Sequence, residues 1–180
     1  DKMIATKLKQ YQEVLNSLTG LDRIFLIGCG DCATVCKTGG VEQLQFFKAE
    51  LEKAGKNVVG FCVPESTCVS AKLKLKFAKN LKIVKESQAI VVFACGLGVQ
   101  SVKSNDRFGL TVVPACNTLG SVTVDAAGNF EEKCSSCGEC LLSLTASICP
   151  VSLCPKGLLN GPCGGMSKGK CELDAERDCA

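Results

Sequence analysis

The chain has 180 residues, a formal net charge of +3, 15 cysteines and no histidine. A charge this small does not favour nucleic acid or an anionic membrane as a partner, and no apolar run is long enough to span a bilayer. The absence of histidine excludes Ser-His-Asp and Cys-His catalytic sites, His-ligated zinc hydrolases, Rieske centres and His-ligated haem.

The high cysteine content indicates metal binding. The number of cysteines is odd, and the N-terminal residues lack the apolar run of a secretory signal. We therefore expect a reducing, cytoplasmic compartment rather than a disulfide scaffold. Without histidine, the remaining chemistry is all-thiolate ligation, which means iron–sulfur clusters or zinc held by four cysteines.

Apolar residues spaced by three and four predict two amphipathic helices. The first covers residues 4–18, and the second covers residues 41–54 and stops at Gly55, a residue favoured just after helix ends. Residues 69–77 fit either a strand or one face of a helix. We predict a helix there, because the segment is rich in lysine and lies where two parallel strands need a crossover.

Short apolar runs between these helices predict four buried strands. They are residues 23–28, 57–62, 89–94 and 111–113. Strands that alternate with helices predict an α/β fold, with a small parallel sheet and flanking helices of the Rossmann or flavodoxin type. We place a domain boundary near Phe130. Residues 1–130 then form the α/β domain, and residues 131–180, which hold eight cysteines, form a loop-rich cysteine module.

Each predicted strand ends at or just before a cysteine. These cysteines are Cys29, Cys62, Cys95 and Cys116. In a parallel sheet, the carboxyl ends of the strands share one edge, and binding sites form there. We therefore expect four thiols that are distant in sequence to lie along one edge of the sheet.

The first predicted iron–sulfur site is a C-x2-C-x3-C run after the first strand, made of Cys29, Cys32 and Cys36. Small residues between these cysteines let backbone N–H groups approach the sulfurs of a 4Fe–4S cluster. We choose Cys95 as the fourth ligand because of its neighbouring glycines, with Cys68 as the second choice. Cys62 and Cys116 rank lower, because a lone cysteine at the end of an apolar strand is usually a small buried hydrophobe.

The second predicted metal site lies in the cysteine module and begins with a C-x2-C-x2-C run, made of Cys134, Cys137 and Cys140. This spacing, with Cys-Pro pairs downstream, is typical of bacterial 4Fe–4S sites, whereas zinc ribbons pair two C-x2-C knuckles. We favour a cluster and keep zinc as the alternative. We choose Cys154 as the fourth ligand, with Cys149 and Cys163 as alternatives. The surplus cysteines either bind a further metal or stay free.

These motifs resemble a known family. The tail from Cys134 onward, with the NGPCGG stretch at residues 160–165, resembles the cysteine-rich C-terminal region of methylenetetrahydrofolate reductases. GCGDCATVCKTGG and ACGLGVQ are similar to the MetV-type small iron–sulfur subunit of these reductases in acetogenic bacteria. The resemblance covers essentially the whole chain. It implies two 4Fe–4S clusters here and a partner, a flavin-bearing barrel subunit that reduces methylene- to methyl-tetrahydrofolate in the reductive acetyl-CoA pathway.

The residues agree with an electron-transfer role. The chain has no flavin motif, no histidine, and only one tyrosine and eight phenylalanines to stack a pterin. We therefore expect a non-catalytic subunit that passes electrons from one cluster to the other and on to the partner's flavin. The electron donor is expected to be a ferredoxin or a pyridine-nucleotide-oxidising module. Two alternatives stay open: a structural zinc-binding docking subunit, and a thiol oxidoreductase that uses Cys29 and Cys32.

Overall fold

The computed structural model describes residues 3–159 and 161–180, so Asn160, the first residue of the NGPCGG stretch, lies outside the described residues. The chain divides into two compact units. The first unit is residues 4–119, and the second unit is residues 120–180 together with Met3. In the described part of the chain, none of the helices has both the length and the apolar character needed to cross a membrane.

The strands are β1 (Met3–Leu8), β2 (Arg23–Ile27), β3 (Asn57–Cys62), β4 (Ala89–Val92), β5 (Thr111–Pro114), β6 (Cys116–Val124), β7 (Phe130–Glu131), β8 (Lys170–Cys171) and β9 (Asp174–Asp178). The helices are α1 (Tyr11–Asn16), α2 (Cys32–Val35), α3 (Val41–Lys53), α4 (Ser70–Lys79), α5 (Leu81–Glu86), α6 (Gly96–Asn105) and α7 (Pro150–Leu153).

A four-stranded parallel sheet forms the centre of the first unit, with the order β3-β2-β4-β5. Ile27 of β2 is level with Cys62 of β3 and with Val92 of β4, and Val92 is level with Pro114 of β5. All four strands therefore end at one edge. Numbered along the chain, this order is 2-1-3-4, as in flavodoxin-like sheets. The predicted α/β fold with a small parallel sheet is confirmed.

Successive residues of the central strands face opposite sides of the sheet, so each side has its own apolar core. One core contains Ile24 and Leu26 of β2, packed with residues of α1 and α3 such as Val14 and Leu44. The other contains Phe25 and Ile27, packed with residues of α4, α5 and α6. Helices on both sides leave residues 24–27 of β2 and all of β4 buried, which explains their unbroken apolar runs.

Two of the three helix predictions are confirmed. The helix predicted over residues 41–54 is α3, and Gly55 follows it with a φ of +81°, the left-handed conformation expected after a helix end. The lysine-rich segment is helix α4.

The helix predicted over residues 4–18 is wrong in its first half, where the chain forms β1. This strand is hydrogen-bonded to β6, whose residues lie far along the sequence. Buried Thr6 also hydrogen-bonds Thr38, with 2.6 Å between the two hydroxyl oxygens. These distant partners override the local spacing of apolar residues.

The second unit consists mainly of turns and loops. Its regular elements are the end of β6, paired antiparallel with β7, the one-turn helix α7, and the antiparallel pair β8-β9. No described residue between Gly120 and Ala180 is buried. This unit therefore has no apolar core of its own among the residues described.

Candidate functional site

The predicted row of thiols at one edge of the sheet is confirmed. Cys62 is the last residue of β3, and the other three cysteines follow β2, β4 and β5 within three residues. All four are buried, with exposed fractions of 7% for Cys29, 7% for Cys62, 9% for Cys95 and 5% for Cys116.

Cys29 and Cys95 occupy the favoured place along this edge. They follow β2 and β4, which are neighbours in the sheet. After β2 the chain continues to β3 on one side of this pair, and after β4 it continues to β5 on the other side. Ligands of open α/β sheets bind at such a switch point, in the crevice outside the strand ends. The C-x2-C-x3-C run therefore starts at the position where the fold favours a bound group.

The C-x2-C-x3-C run is held by local hydrogen bonds. The Cys29 N–H donates to the Gly39 carbonyl oxygen at 3.0 Å, and the Thr34 hydroxyl donates to the Cys29 carbonyl oxygen at 2.7 Å. Between them the chain makes the single helical turn α2, in which the Cys36 N–H donates to the Cys32 carbonyl oxygen at 2.9 Å. This turn fixes the spacing of the last two cysteines of the run.

Strand β1, which the sequence analysis missed, lies against this run. The Cys36 thiol donates to the Ile4 carbonyl oxygen at 3.7 Å. Burial raises the pKa of the Cys32 thiol, a hydrogen bond from the Ile4 backbone lowers it, and the charges of Asp31 and Cys29 raise it. No local signal in the sequence indicates this contact, because β1 reaches the run only through the fold.

Cys95 is the N-cap of α6, so it lies at the positive end of a helix. The next residue, Gly96, donates its N–H to the Thr118 hydroxyl at 2.8 Å. Burial raises the pKa of the Cys68 thiol, and the neighbouring side chains of Cys29 and Cys95 raise it further. The structure therefore brings Cys29, Cys68 and Cys95 near one another.

Cys116 lies on another side of Cys95. Burial raises the pKa of the Cys116 thiol to about 12, with a further upward effect from Cys36 and Cys95. Its thiol donates to the Thr38 carbonyl oxygen at 3.8 Å. Cys95 follows β4, which lies between β2 and β5, so among the candidates it stands after the strand next to the one that carries the run.

Cys62 has a different setting from the other thiols of the edge. Burial raises the pKa of its thiol to about 12, and the charge of Lys76 offsets a part of this rise. It packs in the apolar core between the sheet and α4. This agrees with its interpretation as a small buried hydrophobe.

The eight cysteines of the second unit form two groups of four. One group lines a cavity of about 220 Å³ and consists of Cys134, Cys137, Cys140 and Cys149. The other group lines a cavity of about 20 Å³ and consists of Cys154, Cys163, Cys171 and Cys179. Of the candidates for the fourth ligand of the second site, the structure brings Cys149 next to the C-x2-C-x2-C run, and it brings Cys154 and Cys163 together elsewhere.

Backbone amides surround a thiol in each of these groups. The N–H of Ser152 is the main reason that the pKa of Cys149 is lowered, followed by the Ser152 hydroxyl. The pKa of Cys154 is lowered first by the N–H of Leu158, then by those of Lys156 and Gly157. Turns that aim amides at a sulfur stabilise its thiolate form, which is the form that binds metal. Both cysteines stand next to a proline in the sequence.

The thiols of Cys134, Cys137, Cys140 and Cys149 suit a cofactor that is held by several thiolates. In residues 3–159 and 161–180, no group of three or more cysteine or carboxylate side chains is placed so that it could hold a metal ion as it stands. A 4Fe–4S cluster needs cysteines spread around a larger body, and soft thiolate donors select iron–sulfur clusters or zinc. Four thiols around a cavity of about 220 Å³ have both the chemistry and the room for such a cluster.

Part of the chain is similar to a known family. Residues 113–180 match the model of the family described as methylene-tetrahydrofolate reductase C terminal. This range starts in β5 and includes all eight cysteines of the second unit. No curated protein and no solved structure was found to match the chain.

Proposed function

We propose that the chain is an electron-transfer subunit that carries two 4Fe–4S clusters and serves a flavin-containing methylenetetrahydrofolate reductase subunit. The observation that carries this proposal is the grouping of thiols at the switch point of the sheet and around one cavity of the second unit. The family match of residues 113–180 supports a role tied to methylenetetrahydrofolate reductase.

In the first unit, the cluster ligands would be Cys29, Cys32, Cys36 and Cys95. Cys29 and Cys95 follow neighbouring strands, and α2 fixes the spacing of the other two. Cys68 is the alternative fourth ligand, but it is exposed and lies outside the strand ends. A bound 4Fe–4S cluster supplies reversible one-electron transfer. The buried thiols and the N-terminal end of α6 would set its potential through low solvent access and a positive local dipole.

In the second unit, the ligands would be Cys134, Cys137, Cys140 and Cys149, because these four line one cavity. Cys154, the fourth ligand chosen from the sequence, lines the other cavity. The Ser136 N–H donates to the Cys134 sulfur at 3.4 Å, and such N–H contacts tune the sulfurs around a cluster.

The folate chemistry belongs to the partner in this proposal. The single tyrosine, Tyr11, already donates its hydroxyl to the Glu50 carbonyl oxygen at 2.8 Å, so it is not free to bind a pterin. A thiol oxidoreductase at Cys29 and Cys32 would need an accessible thiol with a low pKa. Here Cys29 is buried and burial raises the pKa of Cys32, which argues against that alternative. Electrons would come from a ferredoxin or a pyridine-nucleotide-oxidising module and leave to the partner's flavin.

The test is anaerobic co-purification with the flavoprotein, followed by iron and acid-labile sulfide analysis. Two cubanes require about eight irons and eight sulfides per chain. Cys137→Ala should remove one cluster signal from the reduced spectrum and slow flavin reduction, while Cys62→Ala, a thiol outside both ligand sets, should keep both signals. A sulfide-free protein would overturn the proposal, and zinc at Cys134, Cys137 and Cys140 would instead favour a structural docking subunit.

A further inference from the structure

We propose that Cys154, Cys163, Cys171 and Cys179 form a separate four-thiolate site that holds a single zinc ion and fixes the end of the chain. These cysteines lie on four different segments, yet all four line the same cavity. The residues that line this cavity range from Cys154 to Ala180 in the sequence. Surface cysteines without a common ligand would not be expected to gather around one cavity. The site does not depend on the electron-transfer role proposed above.

The hairpin of β8 and β9 supplies two of the thiols. Cys171 is the last residue of β8, and Cys179 directly follows β9. The Cys179 N–H donates to the Gly169 carbonyl oxygen at 2.8 Å, which extends the pairing of the hairpin to its end. Lys170 and Asp178, opposite each other, also form an ion pair of 2.6 Å. Cys171 therefore lies beside the turn of the hairpin, level with Asp174, and Cys179 lies at its open end.

The loop after α7 supplies the third thiol. The Gly157 N–H donates to the Cys154 carbonyl oxygen at 2.9 Å, and Gly157 has a φ of +63°, a left-handed conformation that glycine adopts without strain. This tight turn directly follows Cys154, which is one of the residues that line the cavity.

The fourth thiol, Cys163, lies beside charged groups. The Lys156 ammonium donates to the Cys163 sulfur at 3.8 Å and also pairs with Glu172. The Cys163 thiol itself donates to the Glu172 carboxylate at 3.6 Å. When a metal replaces the thiol proton, the lysine stays next to the anionic four-thiolate centre and offsets part of its negative charge.

The size of the cavity favours one ion over a cluster. A cavity of about 20 Å³ has room for one atom-sized occupant, since a water molecule needs roughly 10–15 Å³. The cavity of the other cysteine group, at about 220 Å³, is much larger. Zinc is the usual single ion of four-thiolate structural sites. The sulfurs do not yet converge on one point, so the ion would draw them together, as expected where metal binding is coupled to folding.

The test measures zinc and iron together in the full chain, purified anaerobically. We expect one zinc per chain. The double variant Cys171→Ala/Cys179→Ala should lose this zinc and keep its iron, and Cys137→Ala should lose iron and keep its zinc. Cys179→His should retain zinc, because histidine is also a zinc ligand. Cobalt added to the zinc-free chain should give the visible bands of tetrahedral thiolate coordination.

Three results would overturn the proposal. The first is a wild-type chain without stoichiometric zinc, and the second is a double variant that keeps its zinc. The third is joint loss of zinc and iron in Cys137→Ala, which would show that zinc only replaces a lost cluster. If the double variant does not fold, the zinc contents of the wild type, of Cys137→Ala and of Cys179→His still show whether the four-thiolate zinc site exists.

Discussion

Gly39 lies directly against the carbonyl oxygen of Phe93, so closely that a Cβ on Gly39 would collide with it. Gly39 belongs to the loop that carries the C-x2-C-x3-C run, and Phe93 belongs to the segment between β4 and Cys95. The two chain segments that would hold the first cluster are therefore in backbone contact. This contact keeps Cys95 beside the run before any metal binds.

Gly39→Ala should separate these two segments. Overpacking of this kind costs about 1–3 kcal/mol of unfolding free energy, and the shift should also reduce the iron bound in the first unit. Urea unfolding and iron analysis measure the two effects. Gly120→Ala is the control, because a Cβ there meets Glu132 only at an ordinary 3.6 Å. Equal stability and equal iron content in both variants would show that the contact does not position the site.

Cys62 should make the stability of the chain depend on pH in alkaline solution. Its folded-state pKa is raised from 9.0 to about 12, so above pH 9 the unfolded chain loses the thiol proton while the folded chain keeps it. Stability is then complete below pH 9 and falls as the pH rises towards 12. Urea midpoints of the wild type should fall more between pH 8 and about pH 10.5 than those of Cys62→Ala.

The quantity to compare between the wild type and Cys62→Ala is the slope of stability against pH, not the stability at one pH. Cys62→Ala should itself cost about 1 kcal/mol at neutral pH, as a buried side chain is shortened. Parallel pH curves for the two proteins would mean that the Cys62 thiol is not kept protonated by burial.

The sequence predicted the sheet domain well because its signals are local. Apolar runs marked all four parallel strands, and Gly55 marked the end of α3. The strand β1 was missed because its stabilising contacts, such as the one between Thr6 and Thr38, join parts of the chain that are distant in sequence. The spacing of the cysteines also could not show whether Cys149 or Cys154 is the fourth ligand of the second site. Both stand before a proline near the same run, and only the path of the loops brings them to different cavities.

Single substitutions of these two cysteines should therefore have opposite effects on metal content. Cys149→Ala should lower iron and remove the signal of the second cluster, with zinc unchanged, because Cys149 lines the cavity of the C-x2-C-x2-C run. Cys154→Ala should lower zinc with iron unchanged, because Cys154 lines the smaller cavity. Metal analysis of the two variants side by side checks this. The reverse result would restore Cys154, the choice made from the sequence, as the fourth ligand of the cluster.

Removal of metal should unfold the second unit before the first. The strands β2 and β4 are buried on both faces by apolar side chains, whereas no described residue of the second unit is buried. Such a unit cannot repay the entropy of ordering its loops by apolar burial, so metal–thiolate bonds must supply its folding free energy. Hydrogen exchange measured by mass spectrometry, before and after chelation, separates the two units. We expect peptides from the second unit to lose protection at chelator concentrations that leave β2 and β4 protected. Equal protection of both units in the metal-free chain would contradict this.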